Sequence, residues 1–165
     1  MNHRKGLLLA ATIAAVVASS AYAHEYKLGD LVIDHPWSRA TPPAAKTAAG
    51  YMTILNKGTT ADRLIAISSA VAGRVEIHRM MMDGSIMRMR PVPEGVEIRP
   101  GESVKLGPGG YHLMMMELRE PMKQGQKVPV TLRFERAGQV TVELAVEAMG
   151  ASPTGAGHDG HGQQN

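Results

Sequence analysis

Downstream of residue 28 the chain alternates apolar and polar positions in short runs rich in Val, Ile, Thr and Leu, broken by Gly, Pro and Asn. No run sustains apolar residues at i, i+3, i+4 and i+7, so the period is that of strands and not of helices. The pattern predicts ten strands: Leu28 to Asp34, Ala48 to Asn56, Arg63 to Ser69, Arg74 to Met81, Ser85 to Val92, Val96 to Ile98, Ser103 to Leu106, His112 to Leu118, Val128 to Glu135 and Val140 to Val146. Strands this short and this regularly punctuated suit an all-β Greek-key sandwich or barrel better than a parallel α/β fold. Pro42-Pro43 and Pro108-Gly109-Gly110 read as loops.

Both ends depart from this pattern. Met1 to Lys5 is basic, an apolar stretch follows, and Ala21-Tyr22-Ala23 closes it, which is the plan of a cleavable secretory leader. Cleavage after Ala23 would leave His24 as the first residue and place the protein in the periplasm. The apolar stretch is too short to span a bilayer, so no stable membrane insertion is expected after cleavage. From Gly150 onward the sequence is rich in Gly and polar residues and cannot bury enough apolar surface to order itself. The expected organisation is a leader over 1–23, one β domain over 24–149 and a flexible Gly/His-containing tail over 150–165.

Charge and composition then exclude whole classes of function. The chain has 18 basic and 15 acidic groups, and two of the basic ones, Arg4 and Lys5, belong to the leader. The remainder is nearly neutral, which argues against a nucleic-acid partner. One Trp, one Phe and four Tyr give no stacking platform for single strands either. There is no cysteine, although an exported protein could have used disulfides. A blue-copper electron-transfer centre, Cys-based zinc sites and Cys nucleophiles are therefore all excluded, and no nucleophile-elbow motif suggests hydrolysis. Methionine is the only sulfur available.

Eight of the twelve methionines lie in two stretches, Met80, Met81, Met82, Met87, Met89 and Met114, Met115, Met116, each accompanied by a histidine. Met is a flexible core filler in many proteins, so spacing has to separate filler from ligand. Asp83-Gly84 reads as the two-residue loop of a type I′ hairpin. That register sets Met82 opposite Ser85, Met80 opposite Met87 and His78 opposite Met89. Directly opposed residues share a sheet face with Cβ atoms about 4.5 to 5.5 Å apart, so His78 and Met89 could grip one ion. His112 and Met114, at i and i+2, share a face of a second strand. Two imidazoles and two thioethers are neutral, soft ligands that suit Cu(I) and not Mg²⁺ or Ca²⁺. Arg79, Arg88 and Arg90 alternate onto the opposite face of the hairpin, to solvate it or to meet an acidic partner.

The runs Glu76-Ile77-His78-Arg79-Met80, Ile86-Met87-Arg88-Met89-Arg90-Pro91-Val92 and Pro108-Gly109-Gly110-Tyr111-His112-Leu113-Met114 resemble the periplasmic PCu(A)C-type copper chaperones. Ten residues separate His78 from Met89 and 22 separate Met89 from His112, the latter one more than the usual pattern of that family. Ile33 to Pro42 also looks like the start of that family, so the resemblance spans nearly all of 28–148. It implies a cupredoxin-like β-sandwich without a blue-copper centre. It further implies Cu(I) held by His78, Met89, His112 and Met114, and delivery to a copper acceptor such as the Cu_A site of a cytochrome oxidase subunit or an assembly factor. A monomer with no enzymatic activity is expected.

The other histidines carry separate expectations. His158 and His161 in the tail could take Cu(II), and so could His24 through its free amine and imidazole. A histidine-brace copper oxygenase built on His24 is the enzymatic alternative, and periplasmic copper storage or scavenging is the alternative that uses the same core ligands. His35, beside Pro36-Trp37, is expected to be structural.

Overall fold

A computed structural model describes residues 25–152. The expected leader and cleavage point, His24, and the part of the expected tail that carries His158 and His161 lie outside the described residues.

The described residues form eleven strands: β1 (Glu25–Leu28), β2 (Leu31–Arg39), β3 (Thr47–Asn56), β4 (Asp62–Ser68), β5 (Ala72–Asp83), β6 (Ile86–Pro91), β7 (Val96–Ile98), β8 (Ser103–Leu106), β9 (Tyr111–Leu118), β10 (Lys127–Phe134) and β11 (Gly138–Glu147). They hydrogen-bond in the order β6-β5-β9-β8-β3-β2-β11-β10-β4-β7, with β1 added on β2 and a further β9–β3 pairing. The path turns back on itself, because β4 near its far end also packs against β5. One buried cluster fills the interior: Ile33, Met52, Ile54, Leu64, Ile98, Leu113, Met115, Val130, Leu132, Val142 and Leu144 are among its members. Strand alternation supplies it. On β10, Val128, Val130, Leu132 and Phe134 are buried while Lys127, Pro129 and Arg133 are exposed.

Two strands differ from the expected ones for identifiable reasons. The segment read as one strand from Leu28 is a hairpin, with Leu28 paired to Leu31 across Gly29-Asp30, where Gly29 has φ 57. The strand expected to end at Asp34 continues to Arg39. Its register shifts between Asp34 and Trp37, and His35 takes φ 47 there, so the pair of residues including Pro36 forms a bulge that needs no N–H from proline. Beyond the bulge β2 pairs in parallel with β11, Trp37 opposite Ala145.

Three buried polar side chains are fully engaged by this framework. Asn56 donates to the carbonyls of Thr60 and Ile98 at 2.8 and 3.0 Å and accepts from the Gly58 N–H at 2.9 Å. The Asp62 carboxylate accepts from the backbone N–H groups of Arg63, Arg136 and Ala137 at 2.7, 3.0 and 2.9 Å. Ser38 donates to the Ala49 carbonyl at 2.7 Å. The other two buried polar residues, His78 and His112, are not engaged in this way.

Candidate metal centre

β5, β6 and β9 lie side by side at one end of the sheet, with β6 outermost. On β9 alternate residues divide sharply: Leu113 and Met115 are fully buried in the core, whereas His112, Met114 and Met116 point to the other face. Antiparallel pairing with β5 sets His78 opposite His112, Glu76 opposite Met114 and Arg74 opposite Met116. The β5–β6 hairpin adds Met80 opposite Met89 and Met82 opposite Met87. One face therefore carries His78, Met89, His112 and Met114 together.

The register of the hairpin corrects the expected one. Asp83 pairs with Ile86, so the loop is Gly84-Ser85 and every rung is displaced by two residues. Met89 faces Met80, and His78 faces Pro91. Gly84 has φ 63 and Ser85 does not share a positive φ, which is the sign pattern of a II′ turn with glycine at its first central position. Asp83 is then free to pair with Arg88 Nε at 2.9 Å. A displacement of two preserves side-chain parity, so Met89 stays on the face of His78, diagonal to it. The three arginines stay on the opposite face, where Arg79 stacks over the Tyr111 ring at 5.0 Å.

His112 and Met89 are in contact, with Nε2 and Sδ 3.2 Å apart. The other ring nitrogen, Nδ1, lies 3.1 Å from the Gly110 carbonyl oxygen. A carbonyl can only accept, so the proton of a neutral ring resides on Nδ1, and Nε2 presents a lone pair to the thioether. Two electron-pair donors thus touch with no hydrogen between them. Burial pushes the His112 pKa down, partly offset by the Gly110 hydrogen bond, and the neighbouring His78 lowers it further. Both effects favour the neutral ring that a metal requires.

The His78 ring lies 6.0 Å from that of His112, edge to face. Its Nε2–H donates to the Glu76 carboxylate at 2.9 Å, and its Nδ1 is buried with no hydrogen-bond partner, the one such side-chain atom among the described residues. A buried polar atom without a partner carries a cost of about 1 to 3 kcal/mol, and here it is a second unused imidazole lone pair on the same face. Met114 stands two residues beyond His112, half-buried, between Glu76 of β5 and Ala49 of β3.

Glu76 was not singled out by sequence reasoning as a functional residue. Its hydrogen bond with His78, joined by the charge of Arg74 and opposed by desolvation, holds its carboxyl below the usual carboxylate range. The signal was present in the period-two step Glu76, His78, Met80. His35 stands apart from the centre: its ring is 6.4 Å from Trp37 and its Nε2 3.7 Å from Glu147. Among the described residues no group of three or more His, Cys, Asp or Glu is disposed around one point, so a centre on this face depends on its thioethers.

The profile of the LpqE-like family, described as "Putative lipoprotein LpqE-like", matches residues 31–146. The chain belongs to that family, which is the family of the PCuAC domains. Among solved structures, the copper-bound PCuAC domain from PmoF2 is 33% identical, with a TM-score of 0.64, and the match covers 76% of this chain and 98% of that one. The copper(I) form of DR1885 from Deinococcus radiodurans is 25% identical with a TM-score of 0.58, covering 79% and 85% of the two chains. A protein of Leifsonia xyli subsp. xyli (strain CTCB07) is 26% identical over 157 residues, 89% of this chain and 93% of its own length. The fold of this PCuAC member is the cupredoxin-like β-sandwich that the resemblance implied.

Proposed function

We propose that this chain is an exported carrier that holds one Cu(I) ion on His78, Met89, His112 and Met114 and passes it, without catalysing a reaction, to a copper-accepting protein. The observation that carries this reading is the 3.2 Å contact between the unprotonated His112 Nε2 and the Met89 sulfur, because two soft donors in contact gain most from a soft ion between them. The unpartnered Nδ1 of His78 adds a second imidazole lone pair. The copper-bound relatives from PmoF2 and Deinococcus radiodurans support the choice of metal. The leader-like sequence over 1–23 supports a periplasmic location, and a Cu_A-type centre of cytochrome oxidase, or its assembly factor, is the acceptor that fits such a location.

The donor set suits carriage. All four ligands are neutral, so the ion adds a single positive charge to the site, and thioethers bind it weakly enough to release it. They also avoid the disulfide chemistry that thiolates would invite outside the cytoplasm. Half-exposed Met89 (45%) leaves a face through which an acceptor can enter.

Competition of the protein against a Cu(I) chelator tests this. Met89→Ala and Met114→Ala should each weaken Cu(I) binding tenfold or more, since each decade of affinity corresponds to about 1.4 kcal/mol. Wild-type affinity in both variants would remove these residues from the site.

A further inference from the structure

The last rung between β5 and β9 is Arg79 opposite Tyr111. Beyond it, apart from the Met80 N–H donating to the Gly110 carbonyl at 3.1 Å, the backbone of residues 80–89 pairs within itself, as a two-stranded ribbon at the edge of the sheet. The ribbon has two unlike faces. One carries Arg79, Met81, Asp83, Ile86, Arg88 and Arg90. The other, continuous with His78, carries only thioethers between the turn and the His78–Pro91 rung: Met82 opposite Met87, then Met80 opposite Met89.

Folding does not call for this segregation. A two-stranded ribbon gains little from its own contacts, and β-branched residues suit an exposed strand better than Met. Yet Met82, Met87 and Met89 are 61%, 55% and 45% exposed. Apolar area left in water in one place marks a binding surface.

We propose that the ribbon is a second, weaker Cu(I) site, formed by Met82, Met87 and Met80, that takes up the ion near the turn and passes it to the imidazole centre through Met89. The proposal rests on the Cu(I) reading of that centre. Directly opposed thioethers, with Cβ atoms about 4.5 to 5.5 Å apart, can share one ion. Successive same-face rungs are about 6.5 to 7 Å apart along a strand, a step that flexible Met side chains cover from both sides. Movement is ligand exchange: one sulfur–copper bond forms as another breaks, copper stays monovalent, and no proton or electron is transferred. Sites made of thioethers alone bind more weakly than one that adds two imidazoles, so the ion moves inward on loading. Along the ribbon a hard cation finds no carboxylate on this face, since Asp83 points to the other one and Glu76, farther down β5, is bonded to His78.

The test uses protein with ¹³C-labelled methionine methyls, titrated anaerobically with Cu(I) and in parallel with Ag(I). The first equivalent should shift the methyls of Met89 and Met114, and further metal should shift those of Met80, Met82 and Met87. The double variant Met82→Leu/Met87→Leu keeps the apolar bulk of the ribbon. It should retain the first event at wild-type affinity, lose the second, and load copper from a weak chelator several-fold more slowly. Unmoved Met82 and Met87 methyls, or wild-type loading by the double variant, would overturn the relay and leave the centre intact. Absence of the first event as well would overturn the Cu(I) reading beneath it.

Discussion

Methionine serves two opposite purposes in this molecule, and β9 shows both in adjacent residues. Met115 is fully buried and joins Met52 and Met122, each 2% exposed, in the hydrophobic core. Met114, one residue away, faces outward beside His112, and Met81, Met82, Met87 and Met89 of the hairpin are about half exposed. For the core set, flexible filling of irregular space is a sufficient explanation. For the outward set it is not, because an exposed thioether gains almost nothing from leaving water. Composition alone cannot tell these sets apart; strand parity and lateral pairing can.

The comparison is broken most sharply by truncating one residue from each set. Met115→Ala should destabilise the protein by about 2 to 5 kcal/mol, as large-to-small core changes do, measured by urea unfolding of the copper-free protein. At a temperature where the variant is folded, its Cu(I) affinity should stay within about twofold of wild type, a modest fraction of a decade on the affinity scale. Met89→Ala should show the reverse, with the tenfold loss of affinity already stated and a stability change within about 0.5 kcal/mol, as for an exposed position. A folded Met115→Ala protein that no longer binds copper would merge the two sets.

The smallest expected effect concerns protons. In the copper-free protein His112 is held below its ordinary pKa by burial, and Glu76 is held below its own by the hydrogen bond from His78. A group with a lowered folded-state pKa stabilises fully above its unfolded pKa and loses that contribution as pH falls through the folded value. Stability should therefore decline with acid in two stages. One begins below about 6.5 from His112 and the other below about 4.3 from Glu76, the ordinary values for these groups. Glu76→Gln should flatten the lower stage and leave the upper one, in denaturant unfolding followed across pH. An unchanged lower stage would show that the Glu76 carboxylate has no part in it.

Much of this arrangement was legible in the sequence because alternation is local. The position of Met115 in the core and of His112 and Met114 on the other face follows from period two alone, as does the placement of the hairpin arginines. The hairpin register was not legible. Asp-Gly suggested a loop at 83–84, but Gly84 takes the first central position of a II′ turn and Asp83 closes a rung beside Arg88. Both turns are open to such a sequence, and the choice is made by cross-strand contacts that lie outside any short window. β1 was hidden for a similar reason, since Gly29-Asp30 is a weaker turn signal than the apolar run it interrupts. The continuation of β2 through Pro36 depends on a parallel partner, β11, more than a hundred residues away. The bond from His78 to Glu76 was likewise invisible to spacing, which places two residues on a face but does not say that their side chains meet.

The central claim is that sulfur and imidazole nitrogen share one copper ion on the outward face of β5, β6 and β9. X-ray absorption at the copper edge, on protein loaded anaerobically with one equivalent of Cu(I), tests it most directly. The account predicts both sulfur and imidazole-type nitrogen scatterers around the metal, with sulfur diminished in Met89→Ala. A first shell of nitrogen and oxygen alone, unchanged by that substitution, would contradict it.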